Sequence, residues 1–333
     1  MKVQDISRVA VIGTGVIGAS WAARFLAAGL QVAAHDPADG AEAALRAAVA
    51  RFWTDLQALG LTAGRDVTDA QARLGFHRHA ADAAQGADFV QENAPERLPL
   101  KRALLAGLEP ALRDNVVIAS STSGIMPTPM QQGMAHPGRL VIGHPFNPPH
   151  LVPLVEVVGG QQTDARSVDL AMAFYARIGK APVRLNTEIT GHIANRLQAA
   201  LWREAVHLVV NNVASLADID RALVAGPGLR WAVMGSNLTF HLAGGAGGIG
   251  HFLDHLGPAA EQWWGDLGQP HLDAATCGAL RDGVAQQVGG RPIAALEQAR
   301  DAALLAVLQV PPVLDRVPDP QARDPDRPDP AAG

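Results

Sequence analysis

The chain has 333 residues, 48% of them hydrophobic and 18% charged, a balance that builds a buried core, excludes a fibrous or natively disordered chain, and at this length implies two domains. A formal net charge of -5 leaves no basic footprint for nucleic acid and no polybasic patch for an anionic membrane, so a small-molecule partner is expected. The single cysteine, Cys277, can close no internal disulfide and lacks the Cys/His spacing of a zinc site, which implies no metal and fits a reducing cytoplasm.

The opening MKVQDISRVAVIG has neither the cationic start nor the long apolar core of a signal peptide, and no apolar run reaches membrane-spanning length. Short β-branched runs then alternate with longer Ala/Leu-rich segments, the pattern of a parallel sheet covered by helices. Strands are expected at RVAVIG, QVAAHD, ADFVQENA, NVVIASS, RLVIGH, LVPLVEVV and APVRLN. Helices are expected over 38–59, where Leu45, Val49, Phe52 and Leu56 recur at helical spacing, over 98–112, and over 164–178 with Asp164 near the cap. After Gly191 the strand pattern stops and helices broken by glycine clusters follow. The expected fold is α/β: an N-terminal Rossmann-type domain with a parallel-rich sheet over 1–188, an all-helical second domain over 189–310, and a disordered tail rich in Pro, Asp and Arg over 311–333.

The stretch from Val9 to Gly18 carries GxGxxG directly after an apolar strand and before a helix. Gly13 permits the tight turn, Gly15 lets the backbone approach a pyrophosphate, and Gly18 allows close helix-to-strand packing, while Val16 and Ile17 begin a helix whose free N–H groups suit phosphate. Three glycines alone could mark only a tight strand-to-helix connection. The second strand, however, ends in Asp36 at the distance where an acid meets the adenosine ribose, and Pro37, Ala38 and Asp39 offer no cation for a 2′-phosphate, so NAD is favoured over NADP.

In such a sheet the reacting groups collect at the carboxyl ends of strands. NVVIASS runs into Ser121, Thr122, Ser123 and Gly124, and RLVIGH ends on His144. Alcohol oxidation by hydride transfer needs a base near neutral pH, and His144 is the candidate. Glu156, inside the apolar LVPLVEVV, is the candidate to orient it. Periodicity equally allows an edge strand with Glu156 facing water. The remaining histidines, among them His77, His79, His136, His150, His207, His241 and His251, follow no motif and read as surface or loop residues.

With GTGVIG, ENAPE, SSTSG, HPFNPP followed by LVEVV, and GHIANRL, the chain resembles the 3-hydroxyacyl-CoA dehydrogenase superfamily over nearly all of its length before the tail. The resemblance implies NAD-dependent oxidation of a 3-hydroxyl to a ketone and a homodimer. It places the base on His144, its partner on Glu156, substrate-oxygen donors on Ser123 and Asn195, and further cofactor contacts on Glu96 and Lys101. GPGLRWAVMGSNLTFHLAGGAGGIGHFLDHLGPA is similar to the branch of the family acting on L-carnitine and, less closely, to the L-gulonate, lambda-crystallin branch. Short 3-hydroxyacids or 3-hydroxyacyl-CoA esters are alternatives, with Arg65, Arg73 and Arg78 available for CoA phosphates. A non-catalytic crystallin-like NAD-binding protein is the alternative of another class. Aromatic faces hold a trimethylammonium group, and Phe146, Trp231 and Phe252 are candidates, with core or interface packing as the other reading of each. Arg196 and Arg230 are candidates for a carboxylate. His192 stands where the carnitine branch commonly has an aromatic, and Asn195 where it often has aspartate.

Overall fold

A computed structural model of the chain describes residues 2–317. Its strands are β1 (Arg8–Ile12), β2 (Gln31–His35), β3 (Leu74–His77), β4 (Phe89–Glu92), β5 (Val117–Ser120), β6 (Leu140–Pro145), β7 (Leu154–Gly159) and β8 (Ala181–Arg184). They form one sheet in the order β3-β2-β1-β4-β5-β6-β7-β8. All pairings are parallel except that of β6 with β7. The order reverses between β1 and β4, which opens the crevice at their carboxyl ends where ligands bind in open α/β sheets.

Alternate residues of β1 feed the two faces of the sheet. Val9 and Val11 join a cluster with Trp21, Phe89 and Phe174, while Ala10 and Ile12 join another with Val90, Leu105 and Ile118. Burial on both faces explains why the central strands read as continuous apolar runs. The helices Val16–Ala27, Ala41–Ala58, Leu98–Leu108 and Ala165–Arg177 belong to these layers, within two or three residues of the sequence expectation except that the third ends in a separate turn, Glu109–Ala111. Asp164 is the N-cap of the last helix, but its side chain accepts no capping bond.

Three features differ from the reading of the sequence. The strand β3, LGFH, is absent from it: only Leu74 is buried, so the segment carries no apolar run. β7 is interior, paired to β6 and β8, and this overturns the edge-strand alternative for Glu156. His150 is a third correction, because it is buried rather than superficial, bonding Ser20 Oγ at 2.8 Å through Nδ1 and Asp55 Oδ2 at 3.3 Å through Nε2.

The chain divides into two compact units after Gln198, ten residues beyond the expected boundary. The helix Ala194–Val210 begins inside the first unit because the N–H groups at its start bond to Glu156. The described residues of the second unit contain helices and turns and no strand. Of the segment 311–333 read as a tail, Leu314–Arg316 form a 3-10 turn and the Val313 N–H donates to the Val233 carbonyl at 2.9 Å, while 318–333 lie outside the described residues. No described helix is long and apolar enough to cross a membrane.

Candidate active site

The glycine loop fits a dinucleotide. Gly13 has φ +90°, a left-handed conformation, and a Cβ there would lie 2.7 Å from the Asn93 carbonyl oxygen. A Cβ on Gly18 would collide with the Gly13 carbonyl. Gly15 is different: a Cβ there meets no protein atom within 4 Å, so the protein's own packing does not require glycine. The open space there leaves room for a ligand to approach the start of the helix Val16–Ala27, where N–H groups and the helix dipole favour phosphate. Val16, 69% exposed, and Ile17 form that start. Asp36 is held at the end of β2 by the Thr14 N–H at 2.8 Å and the Ala38 N–H at 3.0 Å, at the strand end where an acid could accept from ribose hydroxyls. Gly15→Val is therefore expected to weaken NAD binding about tenfold or more by calorimetry while leaving the thermal midpoint unchanged.

The antiparallel register of β6 and β7 sets His144 directly opposite Glu156. Nδ1 of His144 lies 2.8 Å from Glu156 Oε2, and Oε1 accepts from the N–H groups of Ile193 at 2.7 Å and Ala194 at 2.9 Å. Burial pushes the Glu156 carboxyl up, but the bonds from His144, Ala194 and Ile193 together outweigh it and hold the group below the usual glutamate range. A carboxylate only accepts, so in the neutral ring Nδ1 carries the proton and the lone pair falls on Nε2, as a general base requires. His144 lines a cavity of about 430 Å³ with Ile17, Ser121, Ser123, Phe146, Asn195 and Gln198. The Phe146 ring meets His144 edge-on at 5.5 Å.

The loop after β5 is built by acids that the sequence places elsewhere. Glu96 Oε1 accepts from the Thr122 hydroxyl and from the N–H groups of Gly124 at 2.9 Å and Ile125 at 3.3 Å. Burial raises the Glu96 carboxyl, yet these bonds and Lys101 together carry it below the ordinary value. Lys101 itself does not reach the cavity wall; it is buried, with Nζ 2.8 and 3.0 Å from the two oxygens of Glu92 and 2.9 Å from the Ala94 carbonyl. Ser121 is spent on scaffold, donating to Asn93 at 2.7 Å and accepting from Gln91 at 2.9 Å and Trp21 at 3.2 Å. Among the described residues the Ser123 hydroxyl makes no hydrogen bond, and Asn195 Nδ2 lies 3.5 Å from the Ser123 carbonyl.

Ser123, His144, Phe146 and Asn195 thus share one cavity wall. Arg230 and Phe252 line a second cavity, of about 490 Å³, within the helical unit, where Phe252 stacks on Phe240 at 4.7 Å. Trp231 is outside that wall and 42% exposed, and Arg196 is exposed on its helix. The sequence reading misses Glu92, Gln198 and the burial of His192. Gln198 follows Asn195 by three residues on one helix, a spacing that could have flagged it. Glu92 ends an apolar strand beside a lysine nine residues on, a signal visible only once the helix folds back.

Residues 8–189 match the family model for the 3-hydroxyacyl-CoA dehydrogenase NAD binding domain, and residues 191–267 match that for the 3-hydroxyacyl-CoA dehydrogenase C-terminal domain. An L-carnitine dehydrogenase of Streptomyces griseus is 51% identical over 96% of this chain and 94% of its own. One of Streptomyces coelicolor is 50% identical over 92% and 95% respectively. Among solved structures, 5-formyl-3-hydroxy-2-methylpyridine-4-carboxylic acid 5-dehydrogenase, an NAD+-dependent dismutase, superposes with a TM-score of 0.78 at 30% identity, over 91% of this chain and 98% of that one.

Proposed function

The chain belongs to the 3-hydroxyacyl-CoA dehydrogenase family and is an NAD-dependent oxidoreductase, and we propose that it oxidises the 3-hydroxyl of L-carnitine to give 3-dehydrocarnitine. The observation that carries the chemistry is the buried His144–Glu156 pair opening onto the cavity that holds Ser123 and Asn195. Bound NAD supplies the hydride acceptor. His144 Nε2 removes the hydroxyl proton, Glu156 stabilises the imidazolium that forms, and Ser123 and Asn195 donate to the substrate oxygen. In reduction His144 returns the proton. Phe146 offers an aromatic face beside the base for a trimethylammonium group.

Likeness to the carnitine dehydrogenases over nearly the whole chain supports the substrate. A CoA ester is disfavoured because Arg65 is engaged by the carbonyls of Ala27 and Thr62, which commits one of the three candidate cations. L-gulonate is the runner-up. Following NADH absorbance with L-carnitine, L-gulonate, 3-hydroxybutyrate and a 3-hydroxyacyl-CoA is expected to show carnitine preferred; turnover of gulonate without carnitine would reject the assignment. The family resemblance and the exposed Trp202, Trp263 and Trp264 of the helical segments support a homodimer.

A further inference from the structure

His192 is buried, and its Nε2 lies 3.3 Å from the Thr122 carbonyl, an acceptor only, so Nε2 carries the ring proton. Its Nδ1, also buried, has no hydrogen-bond partner among the described residues. The ring centroid lies 5.0 Å from that of His144. The backbone is left-handed, φ +51°, a conformation uncommon outside glycine. Immediately after it come the Ile193 and Ala194 N–H groups that clamp Glu156. One residue therefore touches both halves of the catalytic site: the loop presenting Ser123 through Thr122, and the base through its ring.

We propose that His192 is a positioning residue, an imidazole that latches the Ser123 loop to the His144–Glu156 pair. The proposal rests on the function argued above. The ionisable groups facing His192 are His144, Glu156 and Glu96; burial first, then the charge of His144, holds its pKa below the ordinary histidine value against the opposite pull of the two acids. Two imidazolium rings at this separation repel, so charge on one ring disfavours charge on the other. Loss of the latch misplaces Ser123 relative to the reacting oxygen, and small misplacements are costly in rate.

The test compares the full-length wild type with His192→Phe, which keeps a ring without a donor, and His192→Gln, which keeps a donor without titrating. His192→Phe is expected to lower kcat for carnitine oxidation about tenfold with KM for NAD within about twofold, and His192→Gln to recover most of that loss. Wild-type rates in both would overturn the latch, and if the Phe protein does not fold, the NMR titration of the Gln protein decides. The NMR titration of the His144 Cε1–H needs no turnover: biphasic in the wild type and monophasic in the variants if the proposal holds, alike in all three if it fails. An enzyme that turns over no carnitine yet shows the biphasic titration would remove the substrate assignment alone.

Discussion

Replacing His144 by asparagine is expected to lower kcat for alcohol oxidation about a thousandfold while NADH still binds. Asparagine approximates the size of the ring and can still donate to Glu156, so β6 and β7 keep their register, but it has no basic nitrogen to receive the hydroxyl proton. What is lost is one role in the transition state, and removing a general base typically costs between about a hundred- and ten-thousandfold. The loss exceeds the lower end of that range because the base is not alone: Glu156, buried and held ionised by His144 and two backbone N–H groups, has been aligned to stabilise the imidazolium. Without an imidazole that alignment does nothing for the reaction. The measurement is single-turnover NADH formation beside NADH binding by fluorescence. Undiminished turnover would show that the proton leaves by another route.

The order of legibility in this chain follows how locally each feature is encoded. The glycine loop, Asp36 and the apolar strands β1, β4, β5 and β6 can be read because sequence spacing alone sets their geometry. His144 and Glu156 are recognisable as candidates, but their pairing depends on β7 running antiparallel and lying inside the sheet, which periodicity leaves open. β3 is lost to the reading because an edge strand of four residues with one buried side chain has no pattern to display. His192 and His150 escape for a further reason: their burial is decided by elements distant in sequence, the Thr122 loop for one and the helices bearing Ser20 and Asp55 for the other. Motif resemblance expects Lys101 at the cofactor, whereas its ammonium lies buried against Glu92 and the Ala94 carbonyl, a direction that no sequence spacing specifies.

Lys101→Met is accordingly expected to act on stability, by about 3 to 5 kcal/mol. The ammonium is 1% exposed and the Glu92 side chain 0%, so the substitution leaves a carboxylate in the core whose remaining donors are the Ala94 N–H, at 2.6 Å, and the Ser120 hydroxyl. An unpaired buried charge is far more costly than the pair it came from was favourable, and replacing both members by neutral groups restores most of the loss. The double variant Lys101→Met with Glu92→Gln should therefore unfold in urea at a midpoint closer to the wild type than the single variant does. Because Lys101 Nζ also binds the Ala94 carbonyl and sits 3.9 Å from Glu96, the carboxylate that organises the Ser123 loop, activity should fall together with stability and recover in part with the pair removed. If instead Lys101→Met unfolds like the wild type and only NAD binding weakens, the ammonium reaches the cofactor in the working enzyme, and the buried pair with Glu92 is not its resting place.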